Sequence, residues 1–280
     1  MPLLRPHTLD EALDMLARPR LVQLTAGGGP PAHPHPHALL MDTGRVLAMS
    51  GIRVAGGKIF IGSNSTWDVI QRSRVLRQGA ACLIDACRRR EEAHPGGALL
   101  HDLAGERISH DLLLALETLD ARIEVAVRDE SGATERMLLP AKGFLRTQND
   151  FPQLPLGIHF PLTPTPSGSA LYCEDDLGVL RPDAQCAAAV IAFSHKKGVI
   201  ESARLYFCTP DIWPFTCPQA TSALIGRKPD IEAIEAVVRL AQRDCPQPRA
   251  STPLYAVTLS SHLMRVTLDR AFARSLATPL

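Results

Sequence analysis

Apolar and polar positions alternate along this chain with two different periods, and the period changes mark its elements. In RPHTLDEALDMLA, Leu9, Ala12, Leu13 and Leu16 recur at helical spacing. Thr8 stands where a helix cap belongs, and Glu11 follows three residues later as its reciprocal partner, so a helix starts here and ends before Pro19. LVQLT is a short strand running into three glycines, Gly27 to Gly29. GIRVAGGKIFIGS reads as a hairpin, with Ile52 and Val54 on one arm, Ile59 and Ile61 on the other and Gly56-Gly57 at the turn.

STWDVIQRSRVLRQGAACLIDACRRR predicts two short helices, the first capped by Ser65 or Thr66 and the second apolar along Ala80, Leu83, Ile84 and Cys87. The charged run Arg88 to Glu92 reads as a solvated helix end. HPGGALL is a second glycine turn, and HDLLLALETLDARIEVAVRD predicts a helix followed by a strand. The Pro- and Gly-rich stretch Leu154 to Ser169 reads as a hinge, and its part PLTPTPSGS, without core material, as a loop or domain boundary. CAAAVIAFSHKKGVIESARLYFC predicts a second hairpin, IEAIEAVVRLAQR an amphipathic helix, and YAVTLSSHLMRVTLDRAFA a long helix carrying Leu259, Leu263, Val266 and Leu268. Local hairpins and separate helices, with no fixed-period repeat, predict an α+β fold.

Bulk properties narrow the function classes. The 280 residues suffice for one large domain or two to three small ones. A formal net charge of +1 argues against a field that would draw nucleic acid or an anionic membrane. No apolar run is long enough to span a bilayer. The N-terminal residues carry no secretory signal pattern, so a cytoplasmic location is expected. Seven scattered cysteines without a C-x-x-C pair read as free thiols in a reducing compartment.

The candidate chemistry lies in the two glycine turns, Ala26-Gly27-Gly28-Gly29 and Gly96-Gly97. Glycines let a backbone approach phosphate oxygens closely. Neither turn is a Walker loop or a G-x-G-x-x-G fingerprint. His33, His35 and His37 alternate with prolines in an extended tract, from which they do not converge on one metal ion without a turn. The acidic cluster Glu174-Asp175-Asp176 fits a solvated turn as well as a general-acid pair. No residue set reads as catalytic, and no metal site is expected in this chain.

Taken in order, RPHTLDEALDMLA, LTAGGG, the segment LLMDTGRVLAMSGIRVAGGKIFIGSNSTWDVIQRSRVL, PGGALL, LDARIEV and the C-terminal third resemble the flavin-binding medium subunit of the molybdenum hydroxylases. This is the family of the carbon monoxide dehydrogenase and xanthine dehydrogenase flavoproteins, and the resemblance covers nearly the whole chain. It implies a two-lobed FAD-binding part of the PCMH type over 1–160, with lobes at about 1–50 and 51–160, and a small C-terminal α+β domain over 170–280. It implies FAD held through its pyrophosphate by Ala26, Gly27, Gly28 and Gly29 and by Gly96, Gly97 and Ala98. It further implies a large molybdopterin-binding partner and a small [2Fe–2S] partner in a heterotrimer that can dimerise. Electrons would pass from the clusters to the flavin and on to NAD, oxygen or another acceptor.

The chain departs from the family pattern at the loops. Gly29-Pro30 replaces a polar pair, and PPAHPHPH stands where a helix normally follows. Proline has no N–H to offer an anion, and the missing helix removes a partial positive charge. His94-Pro95 replaces Thr-Ile, and Ala98 replaces a hydrogen-bonding Asn or Asp. CEDDLGV is acidic where the family tends to carry Lys. Two readings follow: an electron-transfer flavoprotein subunit, or a degenerate structural subunit that has lost FAD.

Overall fold

The computed structural model describes residues 3–17, 22–26, 38–104, 108–147, 152–162, 167–173, 188–209, 212–244 and 254–277. In chain order the elements are β1 (Leu3–Leu4), α1 (Leu9–Leu16), β2 (Val22–Thr25), β3 (Leu39–Asp42), β4 (Ile52–Ala55), β5 (Lys58–Gly62), α2 (Trp67–Arg72), α3 (Arg74–Gly79) and α4 (Ala81–Ala93). They continue with α5 (Leu99–Leu103), α6 (His110–Thr118), β6 (Arg122–Arg128), β7 (Thr134–Pro140), α7 (Ala141–Thr147), β8 (Leu154–Pro161) and β9 (Ser167–Cys173). The remainder is β10 (Ala188–Lys196), β11 (Val199–Thr209), β12 (Ile212–Thr216), α8 (Pro218–Leu224), α9 (Ile231–Asp244) and α10 (Leu254–Ala277). The fold is α+β, as the pattern predicts.

The chain divides into two compact units. The first comprises residues 1–70, 90–108 and 120–162, and the second residues 71–89, 109–119 and 163–280. Within the first unit, β1 and β2 flank β3 in a small parallel sheet. A second, antiparallel sheet has the order β4-β5-β8-β6-β7. Ala12 and Leu13 of α1, Leu24 of β2, Met41 of β3, Leu100 of α5 and Leu154 and Leu156 of β8 form one core cluster. Helix α1 has the expected start: Glu11 N–H donates to Thr8 Oγ1 at 3.1 Å, and His7 and Thr8 N–H groups donate to the Glu11 carboxylate at 2.7 and 3.4 Å.

In the second unit β12-β11-β10-β9 form an antiparallel sheet. The β10–β11 hairpin turns at Lys197 and Gly198, with φ of 50° and 75°, the two positive values that a two-residue hairpin turn of this hand needs. Ile191, Phe193, Leu205 and Phe207 of this sheet pack with Val237 of α9 and Leu263, Leu268 and Phe272 of α10.

Three sequence expectations are corrected. Leu154–Pro161 is not hinge but the central strand of the five-stranded sheet, with Leu154, Leu156, Ile158 and Phe160 all buried. Its Pro155 is tolerated because the β6–β8 register slips there, and a proline fits where a ladder is already irregular. The stretch 65–90 holds three helices rather than two, broken at the extended Ser73 and at Ala80. The run Arg88 to Glu92 is largely paired: Arg89 lies 3.3 Å from Asp111, and Arg90 lies 2.9 Å from Asp102, whose side chain is 1% exposed. Strands β1, β7, β9 and β12 and helices α5, α7 and α8 have no counterpart in the sequence expectations.

Candidate functional site

The first glycine loop leaves from the end of β2. Ala26 is described there; Gly27, Gly28, Gly29 and the HPHPH tract lie outside the described residues, as do Glu174, Asp175 and Asp176. The end of β2 is fixed by Thr43, whose N–H and hydroxyl both reach Thr25 O, at 2.9 and 3.2 Å. Thr43 also exchanges two bonds with Asn64, from its hydroxyl to Asn64 Oδ1 at 2.8 Å and from Asn64 Nδ2 to Thr43 O at 2.7 Å.

Asn64 belongs to the turn between β5 and α2, and the same turn holds the second glycine segment. Ser65 O accepts Leu99 N–H at 3.0 Å, Ser63 O accepts Leu100 N–H at 2.6 Å, and Thr66 bridges Ala98. The 62–66 turn is thus bonded on one side to the strand ends from which the first glycine loop departs, and on the other to Gly96-Gly97-Ala98. The serines are functional candidates that sequence reasoning missed. Their only sequence signal is the run of small polar residues after β5. Thr66 supplies the cap of α2, at 3.4 Å from Val69 N. Ser65 Oγ has no partner among the described residues.

The second glycine turn has a definite geometry. Gly96 adopts φ +72°, a conformation that glycine reaches without strain. Gly97 is buried against Trp67: a Cβ there would stand 2.8 Å from Trp67 Nε1 and 2.9 Å from His94 O. Both glycines therefore serve the turn itself.

Every backbone N–H from Gly96 to His101 has an acceptor inside the chain. Gly96 N–H donates to Glu91 Oε1 at 3.0 Å, Gly97 N–H to His94 O at 3.0 Å, and Ala98 N–H to His101 Nδ1 at 3.2 Å. The next three go to Ser65 O, Ser63 O and Ala98 O. A pyrophosphate cradle requires free N–H groups aimed at the ligand, so the turn as built does not fit that group.

Four side-chain atoms around this segment are buried without a partner among the described residues: Ser63 Oγ, Ser65 Oγ, Glu91 Oε2 and His101 Nε2. Burial holds the His101 imidazole below its ordinary value, assisted by the charges of His94 and Arg90. Its Nδ1 accepts from Ala98, so the neutral ring carries its proton on Nε2.

Elsewhere the described residues contain no group of three His, Cys, Asp or Glu side chains that could hold a metal ion. Cys82, Cys87, Cys208 and Cys217 are buried, and burial pushes the Cys82 thiol up to about 12. No helix among the described residues is long and apolar enough to cross a membrane.

No protein-family model matches the sequence, and no curated protein matches it. Solved structures do. A chain of the Cu,Mo-CO dehydrogenase in its cyanide-inactivated form aligns with a TM-score of 0.74 at 20% identity, covering 98% of both chains. A chain of carbon monoxide dehydrogenase from Hydrogenophaga pseudoflava, in a form lacking the Mo-pyranopterin moiety, gives 0.74 at 19% identity and the same coverage. A chain of quinoline 2-oxidoreductase from Pseudomonas putida 86 gives 0.72 at 16% identity, covering 99% of this chain and 98% of that one. The fold is therefore the one these oxidoreductase chains share, and it is the fold that the resemblance to the flavoprotein subunits implies.

Proposed function

We propose that the chain fills the medium-subunit position of a multi-subunit molybdenum hydroxylase, beside a large molybdopterin-binding subunit and a small [2Fe–2S] subunit. The observation that supports this reading is the match over 98% of this chain and 98% of a carbon monoxide dehydrogenase chain at a TM-score of 0.74. The assignment of 1–160 to the flavin-type part and 170–280 to the C-terminal domain belongs to the same proposal, as do a cytoplasmic location and a heterotrimer that dimerises.

Two versions of the reading differ in the cofactor. In one, Ala26 to Gly29 and Gly96 to Ala98 hold FAD and the subunit relays electrons. In the other, the subunit keeps the fold and its partner contacts without flavin. The engaged N–H groups of the second turn favour the version without flavin.

Co-expression with the genes that flank it tests the reading. The chain should co-purify with a molybdopterin-binding and an iron–sulfur subunit, and alone it should oxidise no purine, aldehyde, N-heterocycle or carbon monoxide. Elution of the chain by itself from the co-expressing cells, or turnover by the isolated chain, would overturn it.

A further inference from the structure

We infer that Glu91 acts as a built-in anion that occupies the second glycine turn and excludes an external phosphate from it. This rests on reading that turn as the counterpart of the family's second phosphate loop. Glu91 sits in the last turn of α4, and its Oε1 takes Gly96 N–H at 3.0 Å. A carboxylate is out of place by local rules there, because the C-terminal end of a helix carries negative partial charge. Its position is explained by the bond it makes: a carboxylate oxygen on a glycine N–H is the interaction that a phosphate oxygen would make.

The rest of the turn reinforces the exclusion. Gly97 N–H and Ala98 N–H are engaged by His94 O and His101 Nδ1, and Trp67 covers the α-carbon of Gly97. Glu91 Oε2 is buried without a partner among the described residues, so an approaching phosphate would meet uncompensated negative charge beside the donor it needs. The outcome is self-occupancy: the Gly96 N–H that a phosphate oxygen would take is filled by a carboxylate from within the chain.

Glu91→Gln and Glu91→Ala separate the charge from the hydrogen bond. Glutamine still offers a carbonyl oxygen to Gly96 N–H, and alanine offers nothing. Full-length wild type and both variants are titrated by calorimetry with FAD and with riboflavin, which lacks the pyrophosphate. FAD should bind about tenfold more tightly to Glu91→Gln than to wild type, and at least as tightly to Glu91→Ala, as expected when a charge-assisted competitor is removed. Riboflavin affinity should not change.

Wild-type protein that purifies with stoichiometric FAD would overturn the inference. So would FAD affinities equal within twofold across the three proteins, an equal gain for riboflavin, or no FAD binding by any of them. Should Glu91→Ala fail to fold, Glu91→Gln carries the test alone. Failure of the subunit reading shows separately, as absence of partners on co-purification, and leaves the titration interpretable.

Discussion

Arg274, near the end of α10, closes both terminal nitrogens onto Asp85 of α4, Nη1 to Oδ2 at 2.7 Å and Nη2 to Oδ1 at 2.9 Å. The pair is the centre of a knot. Asp85 Oδ2 also accepts Leu171 N–H at 3.0 Å, Arg274 Nη1 also donates to Ser169 O at 3.0 Å, and Ser169 Oγ accepts Cys82 N–H at 3.1 Å. Helix α4, strand β9 and helix α10 are tied together through two side chains 189 positions apart in sequence.

Arg274→Ala strands the Asp85 carboxylate, which is 3% exposed, with Leu171 N–H and the more distant Arg88 at 3.6 Å. Breaking a buried pair costs about 3–5 kcal/mol, and the 37% exposure of Arg274 puts this one near the lower edge. Urea denaturation should show that loss. Arg265→Ala, which breaks an exposed pair with Glu235, should leave the midpoint unchanged. Equal effects of the two would mean that the Asp85 knot does not hold the second unit.

Leu263 of α10 is fully buried among sheet and helix side chains. Leu263→Ala should cost about 2–5 kcal/mol in chemical denaturation. Val266→Ala, on the partly buried side of the same helix, should cost less. A negligible loss at Leu263 would contradict the packing of α10 onto the sheet.

What could be read from the sequence was local. Thr8 and Glu11 are three residues apart and specify their own geometry, and the His-Lys-Lys-Gly turn carries its glycine where the positive φ falls. β8 was hidden because Pro155 and Gly157 look like breakers, whereas its partners β5 and β6 lie far away in sequence. The candidate site divides along the same line. Gly96-Gly97 is visible as a turn, but what occupies it comes from Glu91, Trp67, Ser63, Ser65 and His101. A charge run gives no indication that its fourth member reaches a glycine N–H, and a Gly-Gly pair gives no indication that an indole covers it.

The two glycines should fail differently when replaced. A Cβ at Gly97 would collide with Trp67 and with the carbonyl of His94, so Gly97→Ala should lose about 1–3 kcal/mol and shift Trp67 fluorescence. At Gly96 there is open space, and the only obstacle is φ +72°, so Gly96→Ala should lose about 1–2 kcal/mol without disturbing the indole. A fluorescence change in Gly96→Ala alone would contradict the contact described for Gly97.

His101 should make the first unit acid-sensitive. Burial, with the charges of His94 and Arg90, lowers its folded value below the ordinary 6.5, while the unfolded chain keeps about that ordinary value. Between the two values the unfolded state binds the extra proton, so stability rises with pH through that window and is lost as pH falls below about 6.5. Protonation would also turn Nδ1 from acceptor to donor and break its bond from Ala98 N–H. Denaturation midpoints measured from pH 8 down to pH 5 should therefore fall on the acid side. In His101→Gln the side-chain oxygen at the same helix position can still accept from Ala98 N–H, as glutamine does in a capping box. That variant should show a smaller fall, its titrating group being gone. An identical acid-side fall in wild type and His101→Gln would assign the sensitivity to other groups and remove His101 as its source.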